Sequence, residues 1–187
     1  MNYRTIKTIR FTIIFLLFTF TFLIFADDEK DDIHTVRIII PKVALLDIES
    51  VNTKNITLKM ISPSEPGDPL MSTSDNRIWL NVTSVIESGN NRAITVKIDE
   101  PLTGIDLKVL SGTYSGTGFG SWGTPQPEIT LTQMDQTLVS GIKSGETGNG
   151  ANNGYNLQYL AQSNNADYGK ITSTSGKSIT VTYTLTH

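Results

Sequence analysis

The chain has 187 residues, 15 Lys+Arg against 18 Asp+Glu, two histidines and no cysteine. The missing cysteine excludes a disulfide framework, a thiolate nucleophile and cysteine-based metal sites, and two histidines are too few for a three-histidine metal centre. A net charge of −3 offers no basic surplus for nucleic acid.

The chain opens on Arg4, Lys7 and Arg10, followed by the apolar run Phe11 to Phe25, then Ala26 and DDEKDD. A basic start, a short apolar core and a small residue at the cut are the layout of a secretory signal peptide. We expect a signal-peptide helix over 1–26, with cleavage after Ala26. A spanning helix needs about 20 apolar residues. The run is shorter, so no membrane span is expected after cleavage. Those 26 residues hold three basic and no acidic side chains, so the remaining 161 carry −6. Residues 27–32 read as a flexible acidic tail. Residues 33–187 have the length of one domain, able to bury a core without covalent staples. The expected location is exported: periplasm, cell surface or extracellular.

Strand patterns follow in order. Val36, Ile38 and Ile40 alternate, Pro41 interrupts, and Val43 to Ile48 resumes. Proline cannot donate to a ladder, so it marks an edge or a bend. Period-two alternation recurs at Ile56–Met60, Ile78–Val82, Ile94–Ile98, Ile105–Val109, Ile129–Leu131 and Leu157–Ala161. The last run is the cleanest: Ile179, Val181, Tyr183 and Leu185 on one face, four threonines on the other. One apolar and one wet face are what an antiparallel sheet over a core requires. Turn residues separate the runs at Pro63–Pro69, Ser88–Asn91 and Glu100–Gly104. Eight to ten strands without a sustained helical period predict an all-β fold. The expected form is an antiparallel β-sandwich, immunoglobulin-like or jelly-roll-like, with a barrel as the alternative.

Two glycine-rich stretches, 111–123 and 141–154, read as the longest loops, where binding tends to sit. The first holds Tyr114, Phe119 and Trp122. Aromatic faces there could stack on sugar rings or fill a partner's groove, or fold back to cap the core. Trp79 lies inside a strand, opposite Leu80 in the alternation. The second stretch lacks the spacing and following helix of a nucleotide loop. His34 and His187 lie near the ends, and neither can be held as a general base by a third group. The carboxylates Asp47/Glu49 and Asp99/Glu100/Asp106 have the spacing of an acid/base pair, but strand faces and turns collect acids for simpler reasons. No enzyme activity, cofactor or metal is expected. Asn55-Ile-Thr57 and Asn81-Val-Thr83 match the glycosylation acceptor pattern, which is common by chance.

The segments GIKSGETGNG, GYNLQY and VTYTLT, in this order after the strand RAITVKI, make the chain similar to uncharacterised exported proteins of Gram-negative bacteria. No site residues follow from that likeness. The terminal strand also looks like those closing fimbrial and spore-coat-U-type subunits. That resemblance implies a sandwich that assembles by strand exchange, although the expected cysteine pair is absent. Two functions follow as expectations. One is a non-enzymatic structural or surface protein, pilin-like or adhesin-like, that meets a partner or itself by strand addition through Val36–Ile40 or Ile179–Leu185. The other is a carbohydrate-binding module using Tyr114, Phe119 and Trp122.

Overall fold

The structure, a computed structural model, describes residues 31–186. The expected signal peptide, the first four residues of the acidic tail and His187 lie outside the described residues. The chain divides between Ile39 and Ile40. In the first part, residues 31–39 form no helix or strand, and Ile33, Val36, Ile38 and Ile39 are exposed. The strand expected over 36–40 is therefore not formed. Alternation specifies which face an extended segment would bury, but a strand exists only when a second strand pairs with it.

The second part is mostly antiparallel β-sheet. Nine strands appear among the described residues: β1 (Val43–Ser50), β2 (Thr73–Val85), β3 (Arg92–Ile98), β4 (Ile105–Ser111), β5 (Phe119–Pro125), β6 (Ile129–Thr130), β7 (Gln136–Glu146), β8 (Tyr155–Ser163) and β9 (Val181–Leu185). They run in the order β6-β4-β8-β2-β7-β3-β9, with β1 on β2 and β5 on β7. A short 3-10 helix (Asn165–Lys170) follows β8, its first turn capped by the Asn164 side chain accepting from the Ala166 amide.

β2 organises the sheet. Its first half pairs with β8, its second half with β1, and Thr83 and Ser84 pair with Glu146 and Gly145 of β7. The β2–β8 register shifts between Asp75 and Ile78. The Asp75 carboxylate accepts from the Arg77 amide at 2.9 Å and from its Nε at 2.8 Å, which holds that irregularity locally. Burial pushes the Asp75 carboxyl up, but the hydrogen bonds and charge of Arg77 outweigh it and hold it below its ordinary value. Past the shift the alternation is regular, and Ile78, Leu80 and Val82 enter the core. They meet Ile94, Val96 and Ile98 of β3, Leu138, Val139 and Ile142 of β7, and Tyr155, Leu157 and Tyr159 of β8. Two hydroxyl groups close this apolar interior: Tyr159 and Tyr183 hydrogen-bond to each other, linking β8 to β9.

Three further local expectations are revised. Residues 56–60 form no strand, although Ile56 and Leu58 still pack against the core. The glycine-rich stretch 111–123 contains the start of β5, and the stretch 141–154 contains the end of β7. Glycine lowers strand propensity. Here it is retained because β5 and β7 approach so closely that side chains would collide. A Cβ at Gly120 would stand 2.3 Å from the Gly145 Cα.

Candidate functional site

The three aromatic residues expected to form a site are not gathered on one exposed face. Tyr114 and Trp122 stack on each other, ring centres 4.2 Å apart at 28°, and both pack against the core. The Tyr114 hydroxyl donates to the Gly118 carbonyl at 3.1 Å, and the Tyr155 hydroxyl donates to the Trp122 carbonyl. Phe119 stands apart with 81% of its surface exposed. Its amide donates to Glu146 Oε1 at 3.0 Å, so its backbone is held while its ring faces water. Trp79 is half-buried and pairs across the ladder with Glu49 and Asn156.

The loop after β7 is clamped to β2 by polar side chains. Thr147 is fully buried; its hydroxyl accepts from the Val82 amide at 2.9 Å and donates to the Gly148 carbonyl at 3.1 Å. Asn81 donates to the Asn153 carbonyl and accepts from the Gly150 amide, each at 2.7 Å. Asn81 is 7% exposed with both ends of its amide engaged, so of the two acceptor patterns only Asn55 is presented to solvent.

Four of the carboxylates considered for acid/base chemistry, Asp47, Asp99, Glu100 and Asp106, are engaged in local contacts. Asp47 meets Lys54 at 3.1 Å, and that hydrogen bond holds its carboxyl below the usual range. Asp99 accepts from the Thr180 amide at 2.9 Å, which likewise lowers it. Glu100 pairs with Lys177 at 3.1 Å, and Asp106 accepts from Asn164 at 3.0 Å. Among the described residues no group of three or more acids and histidines could hold a metal ion. His34 is exposed in the segment before β1.

Two further features lie at the surface. One is the edge of β9, whose named ladder partner is β3. Its core-facing Val181, Tyr183 and Leu185 are only half-buried. The other is a polar cleft of about 560 Å³ between the β2–β3 turn and the strands β5 and β7. The turn was legible in the sequence, because Gly89 and neighbouring asparagines favour it. The cleft was not, since its other wall depends on Gly120 lying opposite Gly145 across a ladder. Among the described residues no helix is long and apolar enough to cross a membrane. Comparison with known proteins finds no family model, no curated relative and no solved structure that matches this chain.

Proposed function

We propose that this is an exported, non-enzymatic surface protein of pilin-like character that assembles by strand addition. The donor is residues 33–40 of one copy, and the acceptor is the β9 edge of the next. The exposed donor carries the reading: Ile33, Val36, Ile38, Ile39 and Ile40 are 69–92% exposed. Burial of apolar surface contributes roughly 25 cal/mol per Å², so such a run in water favours association. Its β-branched residues suit a strand, and its alternation suits one buried face.

On this reading the strands form a two-layer sandwich, β6-β4-β8-β2-β1 against β5-β7-β3-β9. The inter-strand Tyr159–Tyr183 contact and the shared apolar interior support that arrangement. An added strand beside β9 would extend the second layer and cover Val181, Tyr183 and Leu185. Main-chain hydrogen bonds would supply affinity, and the alternating side chains register. The basic-then-apolar first 26 residues support export.

The native chain has no cysteine, so crosslinking reads the pairing cleanly. The purified protein is expected to form concentration-dependent oligomers by light scattering. Ile38→Asp with Ile40→Asp should leave it monomeric. A mixture of Ile38→Cys and Thr182→Cys proteins should form an intermolecular disulfide. A strictly monomeric native protein, or oligomers that the double aspartate variant leaves intact, would overturn the reading.

A further inference from the structure

We infer a modification site that the chain forms by itself: Asn149 deamidates through attack by the Gly150 amide nitrogen, and Asn81 guards it. The sequence holds two Asn-Gly pairs, Asn149-Gly150 and Asn153-Gly154, both in the loop between β7 and β8. Glycine makes such a pair reactive, because no Cβ shields its nitrogen and its backbone turns freely into the attacking geometry. In the reaction the Gly150 nitrogen gives up its proton and bonds to Asn149 Cγ. The side-chain nitrogen leaves as ammonia, taking up that proton, and a succinimide ring closes. Water then opens the ring at either carbonyl, giving aspartate or isoaspartate. Water is the only co-reactant, and nothing is oxidised or reduced.

The fold treats the two pairs differently. Gly154 is buried, and its amide donates to the Ser115 carbonyl at 2.7 Å. The Asn153 side chain is held at both ends: Oδ1 accepts from the Thr117 amide at 3.2 Å, and Nδ2 donates to the Asn149 carbonyl at 2.9 Å. Ring closure at that pair requires all three contacts to break. Asn149 is exposed, and its side-chain amide makes no hydrogen bond among the described residues. A Cβ built at Gly150 would meet nothing within 4 Å, so the space beside the nucleophile is open. The Gly150 amide donates to Asn81 Oδ1 at 2.7 Å, and that hydrogen bond restrains the attack.

A donated hydrogen bond stabilises the protonated amide and holds its nitrogen in place. Attack therefore proceeds from a locally opened loop, whose population one ordinary hydrogen bond lowers several-fold. Conversion has a structural consequence on β2. Isoaspartate adds a methylene to the main chain between residues 149 and 150, which shifts Gly150 relative to Asn81. The Asn81 side chain, in a residue only 7% exposed, then loses the partner of its oxygen. A buried polar group without a partner favours the opened loop. The conversion is irreversible, so it acts as a timer that releases the β7–β8 loop from β2.

The test is incubation of the full protein at mildly alkaline pH, native and in urea. Peptide mapping by mass separates Asn149 from Asn153, and enzymatic methyl transfer reads isoaspartate. In urea both asparagines should convert. In the native protein Asn149 should convert while Asn153 does not. Asn81→Ala should speed the Asn149 conversion roughly fivefold, the population shift that follows the loss of one hydrogen bond. Asn153 reports on folding in that variant, since it converts only when the loop is unmade. The native protein supplies a second measurement: below the unfolding transition, the Asn149 rate should rise with hydrogen exchange of the Gly150 amide as urea is added. Native conversion at Asn153 as fast as at Asn149 overturns the proposal. So does a native Asn149 that never converts while the urea-treated chain does, or a rate indifferent to Asn81→Ala and to Gly150 exchange. Asn149→Gln should leave oligomer formation unchanged, so this site and strand addition fail or stand separately.

Discussion

Thr147 shows how much a single hydroxyl carries in this protein. It is fully buried, and it satisfies the Val82 amide in the middle of the longest strand. The Thr147 amide in turn donates to the Val82 carbonyl at 2.9 Å, so side chain and backbone grip the same residue. Thr147→Val keeps the shape and removes the acceptor. The Val82 amide is then buried without a partner, a cost of about 1–3 kcal/mol. Urea unfolding should show that loss, and a change well under 1 kcal/mol would mean that another acceptor takes over. Nothing in the sequence marks Thr147 as a core residue. It sits in a run of glycine and polar residues that reads as a loop, and its burial depends on β2 lying alongside. Tyr114 and Trp122 carry the same lesson. Composition identified them as loop aromatics, but the folded chain places Trp122 inside β5 and stacks Tyr114, which precedes that strand, on it.

At the scale of elements, the strands written in strict alternation were legible. β3, β4 and β8 fall where period two places them, and β9 takes the last five residues of the run expected from Ile179, because an apolar face every second residue has one efficient use. β5 and the end of β7 were hidden by glycine, whose presence weakens strand propensity but permits tight strand approach. Gly154 marks the return into β8. It has φ 86°, and a Cβ there would meet the Leu80 carbonyl oxygen at 2.0 Å. Gly89 has nearly the same φ, 85°, with open space around it. Gly89→Ala should therefore cost only the backbone strain, about 1–2 kcal/mol. Gly154→Ala adds a backbone collision and should cost clearly more, enough to impair folding. Equal thermal midpoints for the two variants would refute this distinction. Arg92 ties two elements distant in sequence: it donates from its buried side chain to the Val43 carbonyl at 3.3 Å and the Thr186 carbonyl at 3.2 Å. The start of β1 is thereby joined to the segment just after β9.

Among the described residues three tyrosines, the buried Tyr155 and Tyr159 and the half-buried Tyr183, share a consequence for pH. Burial pushes the Tyr159 hydroxyl up to about 12, a rise that its hydrogen bond with Tyr183 partly offsets. Burial also raises Tyr155 and Tyr183 above their ordinary value of 10.0. In the unfolded chain these groups ionise near 10. A folded-state value above the unfolded one means that stability is fully present below pH 10 and is lost as pH rises toward 12. Urea midpoints should be flat from about pH 8 to 10 and then fall. The double variant Tyr159→Phe with Tyr183→Phe should start from a lower midpoint, having lost their mutual hydrogen bond, and fall less steeply. An alkaline slope unchanged by that variant would show that other groups govern it.

Residue types and their spacing determined the all-β character, the antiparallel tendency and the faces of most strands, because period two is a property of the extended chain itself. They also excluded thiol chemistry outright, since that depends only on composition. Tertiary structure decided which strands pair, where glycine permits two backbones to touch, and which aromatic remains exposed. It left residues 33–40 unpaired despite their strand-like alternation. Pairing, close approach and cleft formation all depend on residues far apart in the chain, and no local pattern encodes which of them will meet.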